Sequence, residues 1–142
     1  MDRTEIKRLE TYLRSALRAP KLGVKAKDAE SADLTMGGDR IGDVTRDEDE
    51  GELSYFVNVP MRRAPGAARN APLDAGERIR LQNVLNSSLG TEGLTLRARP
   101  RKTDSVEVYL GEEFIGTISA DDESRDYGYF LTISILDIDL EE

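Results

Sequence analysis

The chain has 142 residues, a net charge of −8, and no cysteine or histidine. That length is usual for one domain with an ordinary core. The missing residue types exclude disulfides, thiol nucleophiles, Cys/His zinc sites and imidazole acid–base chemistry. The acidic balance disfavours a phosphate backbone as the main ligand.

Met1 leads directly into Asp2-Arg3-Thr4-Glu5, with no apolar stretch behind it. No secretory leader is expected, and no run approaches the ~20 apolar residues that span a bilayer. The expectation is a cytoplasmic protein with no membrane partner.

Asp2 and Glu5 have the spacing of a capping box, and Ile6, Leu9, Leu13, Ala16 and Leu17 then share a helical face. This predicts a helix over about 2–18, with Pro20 marking its exit. Leu22, Val24 and Ala26 alternate with polar residues, as do Ala32, Leu34 and Met36. Both runs read as strands. A turn at Gly37–Arg40 leads to a third strand near 40–46 and an acidic loop, Asp47–Glu52. The fourth strand is Ser54–Met61. Residues 62–73 carry Arg62, Arg63 and Arg69 among Pro65, Gly66 and Pro72, and read as a linker.

The same series then recurs. Asp74 and Glu77 repeat the cap, and Leu81, Val84, Leu85 and Leu89 repeat the apolar face of a helix over 75–90 that leaves at Gly90. Strands follow at Leu94–Ala98, around Val106–Leu110, near 114–120 and at Gly128–Ile135, with an acidic loop at Asp121–Asp126. Residues 2–26 align without a gap on 74–98, and 31–56 on 105–130, giving sixteen identities over fifty-one positions. A repeat at this period sets the architecture. The fold class is α+β: two tandem αββββ repeats, each a helix on an antiparallel meander, arranged as an intrachain pseudo-dimer. The repeats are residues 1–61 and 74–142.

The run RPRKTDSVEVYLGEEFIGTI (99–118), the acidic loop, the Tyr-containing strand and ILDIDLEE (135–142) resemble a family of small alphaproteobacterial proteins catalogued as Domain of Unknown Function 3126. The resemblance covers residues 74–142 well. The first copy keeps the helix pattern, Gly37, Ile41-Gly42 and Tyr55, but has Arg40 where the motif has Phe114, and Pro60-Met61-Arg62-Arg63 in place of ILDIDL. The resemblance implies ancestry and brings no activity with it.

Several groups invite a functional reading. The two acidic loops offer carboxylates to a hard cation but lack ordered ligand spacing, so a solvated loop is the simpler account and no metal or other cofactor is expected. Arg97, Arg99, Arg101 and Lys102 form a basic strand end without interleaved aromatics for stacking, which suits edge protection better than nucleic acid. Gly37, Gly42, Gly111 and Gly116 lie in strand–turn–strand settings, which suits turns and close packing rather than phosphate binding. No activated nucleophile is legible, and the reading is non-enzymatic.

The best candidate is the C-terminal run Leu136-Asp137-Ile138-Asp139-Leu140, where apolar residues alternate with acids. It falls out of phase with Ile133 and Ile135, so a bend or bulge is expected near Ile135–Leu136. The run either completes the core or offers an edge strand to another chain. The leading expectation is a protein-binding module that uses a sheet edge, the acidic loops and this tail. Its state is a monomeric pseudo-dimer or a homo-oligomer. The alternative is a small-ligand or catalytic pocket between the repeats, near Tyr55, Phe56, Tyr129 and Phe130.

Overall fold

The computed structural model describes residues 1–67, 72–121 and 127–140. Helix α1 (Arg3–Ala16) precedes β1 (Leu22–Ala26), β2 (Ser31–Met36), β3 (Asp39–Asp49) and β4 (Glu52–Met61). Helix α2 (Ala75–Leu89) precedes β5 (Leu94–Ala98), β6 (Ser105–Leu110), β7 (Glu113–Ala120) and β8 (Tyr129–Leu136), and a 3-10 turn, Asp137–Asp139, follows. Helix followed by four strands thus occurs twice.

The strands form a single antiparallel eight-stranded sheet in the order β1-β2-β3-β4-β8-β7-β6-β5. The repeats meet where β4 pairs with β8. There Tyr55 faces Ile135, Asn58 faces Thr132 and Met61 faces Tyr129. Equivalent residues of β4 and β8 lie 74 positions apart. Exchanging the repeats therefore turns the Tyr55–Ile135 pair into the Tyr129–Met61 pair, and Asn58 into its own partner, Thr132. The seam has two-fold symmetry with Asn58 and Thr132 at its axis, the arrangement of a homodimer in one chain.

Each helix buries a leucine stripe, Leu9, Leu13 and Leu17 in one and Leu81, Leu85 and Leu89 in the other. Alternate strand residues, among them Leu34, Val57, Val108 and Leu131, complete one continuous core. Val84, expected on the buried face, is 37% exposed on the helix flank. Ala26 and Ala98 are exposed at their strand ends. The capping box is complete in α1, where Asp2 and Glu5 exchange backbone bonds. In α2 only half of it forms. Asp74 accepts from the Glu77 amide, but the Glu77 carboxylate turns to Tyr129 and Arg80.

The first acidic loop is mostly not a loop. Asp47, Glu48 and Asp49 extend β3 and pair with Ser54, Leu53 and Glu52. Glu50 and Gly51, at φ +50 and +83, form a two-residue hairpin turn of the kind that matches strand twist. Charged side chains are compatible with a strand here because they face water. Asp121 of the second loop donates its amide to the Gly128 carbonyl, and residues 122–126 of that loop lie outside the described residues.

Candidate functional site: a fork between the repeats

The outer edges of the sheet are already occupied. Glu10 of α1 accepts the Val24 N–H at 3.0 Å, and Arg14 donates to the Leu22 carbonyl at 2.6 Å. At the equivalent positions of α2, Gln82 accepts the Leu96 N–H at 3.0 Å. Asn86 accepts the Leu94 N–H at 3.0 Å and donates to the Leu94 carbonyl at 2.9 Å. Each helix thus occupies the free side of its neighbouring edge strand over that strand's first three residues. A partner strand could not pair there without displacing these side chains.

An unpaired strand side does occur inside the sheet. β7 pairs with β8 only from Thr117↔Thr132 to Ala120↔Tyr129. Towards the start of β7 the two strands part, just beyond a register shift between Val108 and Tyr109. Gly116 sits at the vertex of this fork. A Cβ on it would lie 2.4 Å from the Thr132 carbonyl oxygen, so no side chain fits. Gly42 holds the equivalent place against the Asn58 carbonyl, at 2.2 Å. The repeated Ile-Gly of the sequence therefore marks the point where each outer sheet half peels away from the seam.

In an antiparallel ladder a residue's N–H and C=O point to one side, and that side alternates along the strand. The Thr132 carbonyl faces β7. Ser134 and Leu136 therefore aim their backbone groups the same way, beyond the last β7 partner. Among the described residues, no strand pairs with that side of Ile133–Leu136. The space there is a cleft of about 680 Å³, bounded by α1, β7 and β8. Leu13, Leu17, Leu110, Ile115 and Ile133 give it an apolar lining, and Thr11, Tyr12 and Ser15 add hydroxyls. Phe114, 51% exposed, stands at its mouth against Tyr109, with ring centroids 5.7 Å apart.

The fork of the first repeat is chemically different. Pro60 stands where the second repeat has Ser134, so no N–H is offered there. Arg80 of α2 donates to the Arg62 carbonyl at 2.8 Å, at the position equivalent to Leu136. Met36 lies against Gly90 at the end of α2. The second fork keeps the donor and has a different arginine geometry. Arg8, the equivalent of Arg80, donates instead to the Leu140 carbonyl at 3.2 Å and the Asp137 carbonyl at 3.5 Å.

A family model described as "Protein of unknown function (DUF3126)" matches residues 5–62 and again residues 77–139. The chain belongs to this family. It carries the family unit twice, as the internal alignment requires. No curated protein and no solved structure matches the chain.

Within this duplicated family unit, Leu136–Leu140 does not continue as a strand. The expected bend falls where the strand ends, at Leu136, and a 3-10 turn takes over, with the Leu140 N–H donating to the Asp137 carbonyl. Strict alternation would have put Leu140 beside Leu136 and Ile138, which are 50% and 86% exposed. The turn instead rotates Leu140 into the core at 6% exposure. Asp137 meets Arg8 at 3.4 Å. Leu140 and Asp137 are thus engaged within the chain, whereas Ile138 is open and Asp139 lines the cleft.

The four aromatics expected around a pocket do not share one face of the sheet. Tyr55 and Phe56 are consecutive strand residues and point to opposite faces, as do Tyr129 and Phe130. Both tyrosines are buried in the core, and their hydroxyls donate to Glu5 and Glu77 at 2.8 Å. Burial and the glutamate raise both phenols, Tyr129 to about 12. Burial alone would raise Glu5, but bonds from Tyr55, the Asp2 amide and Arg46 outweigh it and hold the carboxyl low. Glu77 is held low mainly by Arg80. The cation differs between the repeats, Arg46 from β3 in one and Arg80 from the helix itself in the other.

Tyr12 at the cleft is also raised, first by burial and then by the Asp139 and Glu113 carboxylates. The basic strand end is dispersed. Arg97 stacks on Tyr109 at 3.9 Å and donates to the Gly111 carbonyl, while Arg99 donates to Ser105. Among the described residues no cluster of acids has the arrangement of a metal site, and no helix is long and apolar enough to cross a membrane.

Proposed function

We propose that the chain is a non-enzymatic protein-binding module that adds an extended segment of its partner to β8 inside the fork. The observation that carries this reading is the position of Ser134. Its backbone faces a cleft, with no strand partner on that side among the described residues, while helix side chains occupy the start of both outer edges. Strand addition supplies main-chain hydrogen bonds for affinity and alternate side-chain pockets for selection. Asp139 lines the cleft, and Leu136 and Ile138 are exposed close to it in the chain, so the C-terminal run contributes from its exposed positions. The cleft is also of a size that holds small ligands, which supports a small molecule at the same place as the second reading.

The test is Ser134→Pro, which copies the chain's own Pro60. Peptides selected from a random displayed library on the full chain should lose binding to S134P, while its melting temperature stays within a few degrees. In a ¹⁵N-labelled chain the Ser134 and Leu136 amides should move on peptide addition. Selected peptides that bind S134P unchanged would contradict strand addition. A small molecule that fills the cleft and is indifferent to S134P would favour the second reading.

A further inference from the structure

The free charges at the mouth of the fork bear on what enters it. Glu113 opens β7 and Asp139 ends the 3-10 turn, and both line the cleft. Tyr12 of α1 lines the same cleft and feels both carboxylates. Neither carboxylate makes an ion pair or side-chain hydrogen bond among the described residues. Their immediate neighbours differ: Asp137 meets Arg8, and Glu112 meets Arg97 at 3.6 Å. Arg8 is committed to Asp137 and the tail carbonyls. Arg18 is the other cation lining the cleft, at the far end of α1. The mouth thus holds two uncompensated acids and one cation, on a chain of net charge −8.

We infer that the segment entering the fork carries a lysine or arginine that seats between Glu113 and Asp139, over the Tyr12 hydroxyl. This rests on the strand-addition reading and adds the chemistry of the partner. Alternation in a strand places every second side chain on the helix side. An entering strand therefore lays apolar residues over the partly open Ala16 and Ile115 of the lining while a neighbouring position reaches the acids. Opposed charges at such a rim select the partner and speed its approach more than they add to raw affinity. The first repeat offers no such pair: Asp39 matches Glu113, but Pro65 stands in the place of Asp139.

The probes are three fluorescent pentapeptides, acetyl-Lys-Val-Lys-Val-Lys-amide and its Gln and Glu counterparts, titrated into the full chain by anisotropy. The lysine peptide should bind roughly tenfold more tightly than the glutamine peptide, and the glutamate peptide more weakly than either. The preference should vanish in the double variant Glu113→Gln, Asp139→Asn, and shrink in ~0.5 M salt. Asp39→Asn, which removes the matching charge at the other fork, should leave it intact. Binding of lysine and glutamine peptides with equal affinity, lost in S134P, would overturn the basic partner and leave strand addition standing. Lysine binding that survives S134P would show attraction without strand pairing and overturn the inference. If none of the three binds at millimolar concentration, both readings fall.

Discussion

The two repeats keep the same interactions with different residues in some places, and abandon them in others. Glu10 and Gln82 both cap an edge-strand amide, and Arg14 and Asn86 both hold the carbonyl at the start of that strand. The buried Tyr–Glu bond occurs at 2.8 Å in each copy, although its arginine comes from β3 in one and from the helix in the other. These shared contacts are what the fold needs. The forks differ instead in substance. One has Pro60 and a carbonyl taken by Arg80, and the other has Ser134 and an arginine drawn off to the tail. At the forks one copy presents strand backbone and the other does not, which is why the second fork is read as the working surface.

The equivalence can be broken most forcefully in the core. Leu13 and Leu85 occupy matching helix positions and are essentially inaccessible. Leu13→Ala and Leu85→Ala should each cost about 2–5 kcal/mol, and by similar amounts. Denaturant unfolding would check this, and a negligible loss at either site would break the symmetry of the two halves. A smaller contrast lies in the tail. Leu140→Ala should cost roughly 1.5–3 kcal/mol, the scale of one buried leucine, while Ile138→Ala should be neutral for stability. Equal effects would mean that the turn does not sort these side chains as described.

The smallest effects are those of pH. A phenol raised in the fold contributes stability that is complete below its unfolded value near 10 and is lost as pH rises through the folded value. For Tyr129 that window runs from about 10 to about 12. Glu5 and Glu77 are depressed, so their contribution is complete above the unfolded value of 4.5 and fades as pH falls through the folded one. Tyr129→Phe should flatten the alkaline limb of the stability curve, and Glu77→Gln the acid limb. An unchanged limb in either variant would disconnect that pair from folding.

Much of this architecture was legible in the sequence because the residues that fix it were kept identical: the Asp–Glu helix starts, the leucine stripe, and the glycine at each fork. The edge caps were not. Glu10 and Gln82, or Arg14 and Asn86, differ in type and look like ordinary surface residues until the helix is set beside its strand. The strand extension through Asp47–Asp49 was hidden because charged residues carry no hydrophobic alternation, and the backbone partner that orders them lies across a hairpin. The candidate site was legible in part. The alternation of the tail marked a special ending and its phase break marked the bend, but three apolar residues cannot reveal which one a turn will rotate inward. The fork itself depends on where pairing stops, and that is a property of two distant strands.

Residue-resolved amide hydrogen exchange on the full chain tests the central claim most directly. The account predicts fast exchange at Ser134 and slow exchange at its neighbour Ile133, whose N–H points to β4. On adding a peptide selected to bind the chain, Ser134 should become protected. A Ser134 amide as protected in the free chain as Ile133 would mean that β8 is already paired on that side, and would contradict the open fork.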